Sequence, residues 1–487
     1  MYHAYMSYQN ILFGYASAEA ESSEKPELLL DGYFDPHGYV QSIMNDRFFI
    51  ILGYKGTGKT SLGKHFVLSS HKNYKVFSTH ILLDDFSHRL LKRVSVISGL
   101  DDKSRFRAGW KQLLWLLIFQ SYGSDQLLMQ NPLIHAIYNE ISTDKLGTNI
   151  SLNSILNLIK KLRIDVTAYD VYKISLSLNN GSANTWPDLV ASVESNLHNL
   201  PKPQSKHFIF IDGLDDIVTL REERMSAFAA LLNEVRYINN VLSRYSMNTK
   251  IVLLFRTDIY ELIPDANKNK LRNDYGKYIS WFEEGDVKQS PLVRLANMRA
   301  SLSLGVSSID VFDKYFPRKI AIGYEEHKTI NYLLYFTRHT PRDFLQLLEM
   351  HKEFTKGPKY VFTSEDIEEA INKYSREYFL PEIKDELAGL ISASDIQEIF
   401  QLMSIMRKRD FMYSDILAEA ERHNFAIANR IQNILQVLYE HSAIGHIDRY
   451  GERNHITFKY RNRDSGFSIH QRILLHKGLF KALNIRR

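Results

Sequence analysis

The chain has 487 residues, 44% hydrophobic and 24% charged, close to the globular average, which excludes wholesale disorder and collagen-like repetition. At roughly 100–200 residues per domain, that length accommodates two to four domains. There is no cysteine, so disulfides, thiol nucleophiles and cysteine-held zinc are excluded. The formal charge is only +5, but from Arg407 onward 15 Lys/Arg face 8 Asp/Glu, so the C-terminal part carries more than the whole excess. No uncharged apolar run approaches the roughly 18–20 residues that cross a bilayer, and the N-terminus lacks the basic start and apolar core of a signal peptide. The expectation is a soluble, cytoplasmic protein with no membrane contact.

Residues 1–46 are polar and aromatic with turn signals, and read as an N-terminal segment packing on the core. Residues 47–52 (RFFIIL) form a short apolar run too continuous for a half-exposed strand and suited to a central one. Helical patterns come next at 104–120, 125–141 and 151–162, then a Ser/Asn-rich patch at 175–185 that reads as a surface loop or an edge hairpin. Residues 208–211 and 251–255 read as two more buried strands, with a helix over 219–243 between them. Buried strands alternating with helices predict a parallel α/β sheet. After about residue 290 the pattern turns helical (291–304, 329–354, 364–390). Short helices and a glycine-turned hairpin near 443–460 then predict a winged helix. The predicted division is a P-loop core over 47–290, a helical lid over 291–392 and a basic winged-helix-like domain over 393–487.

Gly53-Tyr54-Lys55-Gly56-Thr57-Gly58-Lys59-Thr60 matches G-x-x-x-x-G-K-[ST] at every fixed position, between a buried strand and a helix. The glycines let main-chain N–H groups turn inward around phosphates. Gly53, Lys55, Gly56, Thr57, Gly58, Thr60 and Ser61 form the cradle. Lys59 is suited to the β- and γ-phosphates, the Thr60 hydroxyl to Mg²⁺, and the helix N-terminus to the same anion. ATP with Mg²⁺ is the expected ligand; no N-K-x-D guanine motif stands at a useful position. Asp212, at the C-terminal tip of the second apolar strand, is the second expected Mg²⁺ ligand. Beyond it, Asp215 or Asp216 is placed to position an attacking water. The alternative is that this pair solvates the turn or caps the next helix, and the sequence does not choose between the two acids.

The segment Ile209-Phe210-Ile211-Asp212-Gly213-Leu214-Asp215-Asp216 resembles the Walker B motif of signal-transduction ATPases with numerous domains (the STAND class). Gly213 stands where helicases and typical AAA+ machines place Glu, which implies a slow switch rather than continuous turnover. Arg256, at the tip of the third strand, resembles a first sensor that contacts the γ-phosphate; pairing with Asp258 or Asp212 is the alternative. Pro341 and Arg342, opening a helix, resemble the lid motif of origin-recognition-type and STAND ATPases, where Pro packs near adenine and Arg is the second sensor. Pairing of Arg342 with Asp343 or Glu349 is its alternative. Arg272 is a weaker arginine-finger candidate. The whole order of motifs, with the ending Ile473-Leu474-Leu475-His476-Lys477-Gly478-Leu479, is similar to a group of stand-alone bacterial P-loop ATPases often encoded beside phage-defence genes. That resemblance implies a homo-oligomer or a separate effector partner.

Lys459, Arg461, Arg463 and Arg472 cluster around the predicted wing, interleaved with Phe458, Tyr460 and Phe467. Such side chains neutralise DNA or RNA phosphates; a protein-docking module with solvated charges is the alternative. The E-x-K spacing at Glu382-Ile383-Lys384 lies in a helical pattern, not on a strand, which argues against a nuclease site. Three functions remain open: an ATP-dependent switch controlling an effector, an initiator-type DNA-binding ATPase, and a nucleotide-dependent scaffold.

Overall fold

A computed structural model describes residues 6–83, 101–142, 186–213, 222–450 and 453–485. Five parallel strands form the central sheet: β1 (Ile50–Gly53), β2 (Val76–Leu82), β3 (Lys206–Asp212), β4 (Thr249–Arg256) and β5 (Gly276–Tyr278), in the order β2-β3-β4-β1-β5. Three of these coincide with the apolar runs of the sequence. The other two lack that signal: β2 reads Val-Phe-Ser-Thr-His-Ile-Leu, with polar residues at its centre, and β5 is only three residues long.

Because successive strand residues face opposite sides, the sheet feeds two cores. Ile50, Leu52, Ile209, Ile211, Leu253 and Phe255 pack on one side against helices Asp102–Gly123 and Glu222–Arg244. Ile51, Phe208, Phe210, Val252 and Leu254 pack on the other, where Leu62 and Phe66 of helix Lys59–His71 cover them. The second core continues through residues 291–392 to Ile485 and takes in Tyr8, Ile11 and Phe13.

The helical pattern at 329–354 is broken in the structure into Thr329–Leu334 and Pro341–Met350. His339 takes a left-handed conformation (φ 52°), and the Thr340 side chain caps the new helix by accepting from Asp343 N. That break points the start of the second helix at the phosphate loop. Residues 319–322 and 325–328 form an antiparallel pair, β6 and β7. The C-terminal part has helices Ala393–Met406, Tyr413–Arg422 and Ile431–Glu440, with strands β8 (Asp410–Phe411), β9 (Ile444–Tyr450), β10 (Arg453–Thr457) and β11 (Ile473–Leu475) ordered β10-β9-β11-β8. It is tied to the preceding helices through Gly478, whose carbonyl accepts from Ser375 Oγ at 2.6 Å. A Cβ at Gly478 would come within 2.6 Å of Phe379. No described helix is long and apolar enough to cross a membrane.

Candidate functional site

The loop after β1 bends through Gly56 (φ 79°) and Gly58 (φ 94°), conformations that a Cβ disfavours. Gly53 is constrained by space instead: a Cβ there would lie 2.4 Å from Thr57 Oγ1. Lys59 opens the following helix and is buried. Its ammonium donates to the carbonyls of Gly53 and Tyr54, both at 3.1 Å, so the loop curls around its own cation.

Asp212 ends β3 beside this helix, 1% exposed. Burial alone would raise its carboxyl, but His80, the Thr60 hydroxyl and the Lys59 charge hold it below the ordinary carboxylate range. His80 Nε2 stands 3.1 Å from Asp212 Oδ2, and Gly213 N donates to Oδ1 at 2.8 Å. His80 sits on β2 and fits only because residue 63 is glycine; a Cβ there would approach its ring to 2.4 Å. Thr60 and Asp212 form a hard-oxygen pair of the kind Mg²⁺ takes alongside phosphate and water. Among the described residues, no three His, Asp or Glu side chains gather as a metal cluster.

These residues open onto a cavity of about 230 Å³. Lys55, Gly56, Thr57, Gly58, Lys59, Thr60 and Ser61 form its floor, with Asp212 at one side and Pro341 and Arg342 above. Its apolar wall comes from Tyr33, Phe34, Tyr39, Ile279, Trp281 and Leu345. Trp281 is fixed by donating from Nε1 to Thr57 O at 2.9 Å. The N-terminal segment is held in place by Glu21, whose carboxylate takes a two-point contact from Arg299 at 2.7 and 2.9 Å. Arg342 is paired with neither Asp343 nor Glu349. Its backbone N–H reaches Gly56 O at 3.4 Å, and its guanidinium donates to Glu382 at 3.0 Å.

Arg256 donates to Asp258 at 3.1 and 2.6 Å and lines a second cavity, which shares Lys55, Thr57, Ile279 and Trp281 with the first. Asp215 and Asp216 lie outside the described residues. Arg272 is engaged by Glu261 at 2.7 Å. The basic C-terminal side chains are also committed within the chain. Lys459 meets Glu440 at 3.1 Å, Arg472 pairs with Asp410, and Arg463 lies 4.0 Å over the Tyr278 ring. Arg461 and Arg463 both line the second cavity, and the Arg463 side chain is half-exposed.

Sequence reasoning does not find His80, Arg299 or the aromatic wall, and it names Glu382 only in an E-x-K spacing discounted as a nuclease site. Only Trp281 carries a usable signal, as one of four tryptophans in the chain.

Residues 290–380 match the family model of the FunZ-associated C-terminal helical domain. No curated protein matches the chain. Among solved structures, it is similar to the Aeropyrum pernix ORC1 protein in complex with DNA, at 11% identity and a TM-score of 0.38, over 98% of this chain and 96% of that one.

Proposed function

We propose that the chain binds ATP with Mg²⁺ in the 230 Å³ cavity and hydrolyses it slowly, acting as a molecular switch. The observation that carries this is the convergence, on one cavity, of a glycine loop, a buried lysine, a Thr–Asp oxygen pair and an aromatic wall. Main-chain amides and Lys59 would take the phosphates, and Thr60 and Asp212 would hold Mg²⁺, which supplies charge neutralisation when bound. Trp281, Tyr33 and Pro341 would flank the base. Arg342, hydrogen-bonded through its backbone to the loop, is the second sensor in this reading, and Asp215 or Asp216 positions water. Arg256 serves as the first sensor once it leaves Asp258.

The output would be control of a partner, either a separate effector chain or another copy of this one. The resemblance to defence-associated ATPases supports anti-phage defence as the setting, in the cytoplasm. The second reading, an ATP-dependent DNA- or RNA-binding protein of initiator type, is favoured by the basic C-terminal part. There, Arg463 and Arg472 are already partly exposed, whereas Lys459 and Arg461 are engaged within the chain.

Calorimetry tests the first reading: wild type should take up one ATP in the presence of Mg²⁺, and Lys59→Ala should not. No heat with any purine triphosphate would overturn it. For the second, DNA affinity should fall steeply with salt and differ between ATP and ADP states.

A further inference from the structure

The second cavity, of about 280 Å³, is lined by the phosphate loop, the 338–340 turn and the 460–464 segment. Most of its charged walls are already neutralised. Arg256 is held by Asp258, Arg338 by Asp343 and Glu386, and Lys55 by Glu382. Arg461 differs. Among the described residues it has no carboxylate partner; its guanidinium lies 5.4 Å from the Phe282 ring and 5.5 Å from the Tyr460 ring, two rings that meet edge to face, and its Nε donates to Tyr460 Oη at 3.1 Å. The two rings and the Tyr460 hydroxyl thus hold the cation in place, and its remaining N–H groups are left for another acceptor.

Three polar atoms around the same cavity are buried with no hydrogen-bond partner: Tyr54 Oη, Thr257 Oγ1 and His339 Nε2. Leaving such groups unmet is unfavourable, and an unfilled set on residues lining one cavity points to a missing ligand. The donors are neutral. Burial drives the Tyr54 phenol well up, and burial with the neighbouring Arg461 charge brings His339 down to about 3.

We propose that this cavity is a second anion site, which takes a small phosphate-bearing molecule separate from the triphosphate in the first cavity. One oriented guanidinium with three neutral hydrogen-bonding groups suits a phosphoryl group. Arg461 would pair with its charge, and Tyr54 and Thr257 would donate to its oxygens. Lys55, Thr57, Ile279 and Trp281 line both cavities, so an occupant of the second bears directly on the loop that shapes the first. The site rests on its own residues; only its influence on ATP rests on the function proposed above.

The test is calorimetric titration of the full chain with inorganic pyrophosphate and with inorganic phosphate. Lys59→Ala removes the loop lysine and should retain one pyrophosphate-binding site. Adding Arg461→Ala should weaken that binding at least tenfold, Arg461→Lys should weaken it less, and Thr257→Val should weaken it several-fold. Thermal melts show that each variant is folded. Loss of all pyrophosphate binding in folded Lys59→Ala would overturn the proposal, because Arg461 would then serve the triphosphate of the first cavity. Binding unchanged by both Arg461→Ala and Thr257→Val would overturn it too. Neither result bears on whether wild type binds ATP through Lys59, which is read separately.

Discussion

The guanidinium of Arg342 and the ammonium of Lys55 share one carboxylate oxygen, Glu382 Oε1, at 3.0 and 3.1 Å. Both cations line the cavity of the phosphate loop, so Glu382 neutralises charge that a triphosphate would otherwise meet. Glu382→Gln should therefore tighten ATP binding. A partly exposed pair is worth up to about 1 kcal/mol, or about fivefold in Kd. Calorimetry on the variant checks this, and an unchanged or weaker Kd counts against it.

Deeper in the same region, Arg338 contacts Glu386 through two 2.8 Å bonds and Asp343 at 2.9 and 3.1 Å. Glu386 also meets His441 Nδ1 at 3.2 Å, which links the lid region to the C-terminal part. Removing one member of a buried pair strands the other, at about 3–5 kcal/mol. Glu386→Ala should lower the urea midpoint accordingly. Arg338→Met should lower it at least as far, because it strands both Glu386 and Asp343.

Three of the four tryptophans, Trp110, Trp115 and Trp186, are fully buried on the far side of the sheet, whereas Trp281 lines the cavity and bonds to the loop at Thr57. Adding ATP with Mg²⁺ should change the emission of Trp281 alone. Trp281→Phe should abolish the signal and weaken binding less than tenfold, since the ring surface is largely kept. Retention of the full signal in that variant would place the ligand elsewhere.

Burial pushes His207 and His351 down to about 4, against about 6.5 in an unfolded chain. Their folded values are depressed, so their contribution is complete above pH 6.5 and is lost as the pH falls from there to about 4. Each adds a slope of about 1.4 kcal/mol per pH unit in that window. Scanning calorimetry should show Tm falling between pH 6.5 and 4. His351→Phe, placed among the rings of Phe316 and Phe362, should reduce the slope by one proton.

The parts of the site legible in the sequence are those whose chemistry is local. Gly53 to Thr60 contains its own geometry, and Asp212 is marked by the apolar strand it ends. Glu382 and His80 are not legible because each acts on residues far away along the chain. Their partners Lys55 and Asp212 are brought to them only by the lid packing and by the pairing of β2 with β3. Arg461 and Arg463 show the limit of counting charge. The basic excess is real, but whether a guanidinium faces solvent or a Phe or Tyr ring depends on how the C-terminal part docks. For Arg256, the neighbour two residues on, Asp258, is visible as an alternative partner and is the one it takes.

The residues that wall the cavity near Tyr8 to Glu21 are synthesised long before their anchors. Tyr8 donates to Leu348 O, Phe13 N to Glu349, and Glu21 waits for Arg299. During synthesis these early residues have nothing to close upon until some three hundred more have been added. A chain synthesised only as far as the phosphate loop therefore lacks the anchors that seat one wall of the cavity beside it.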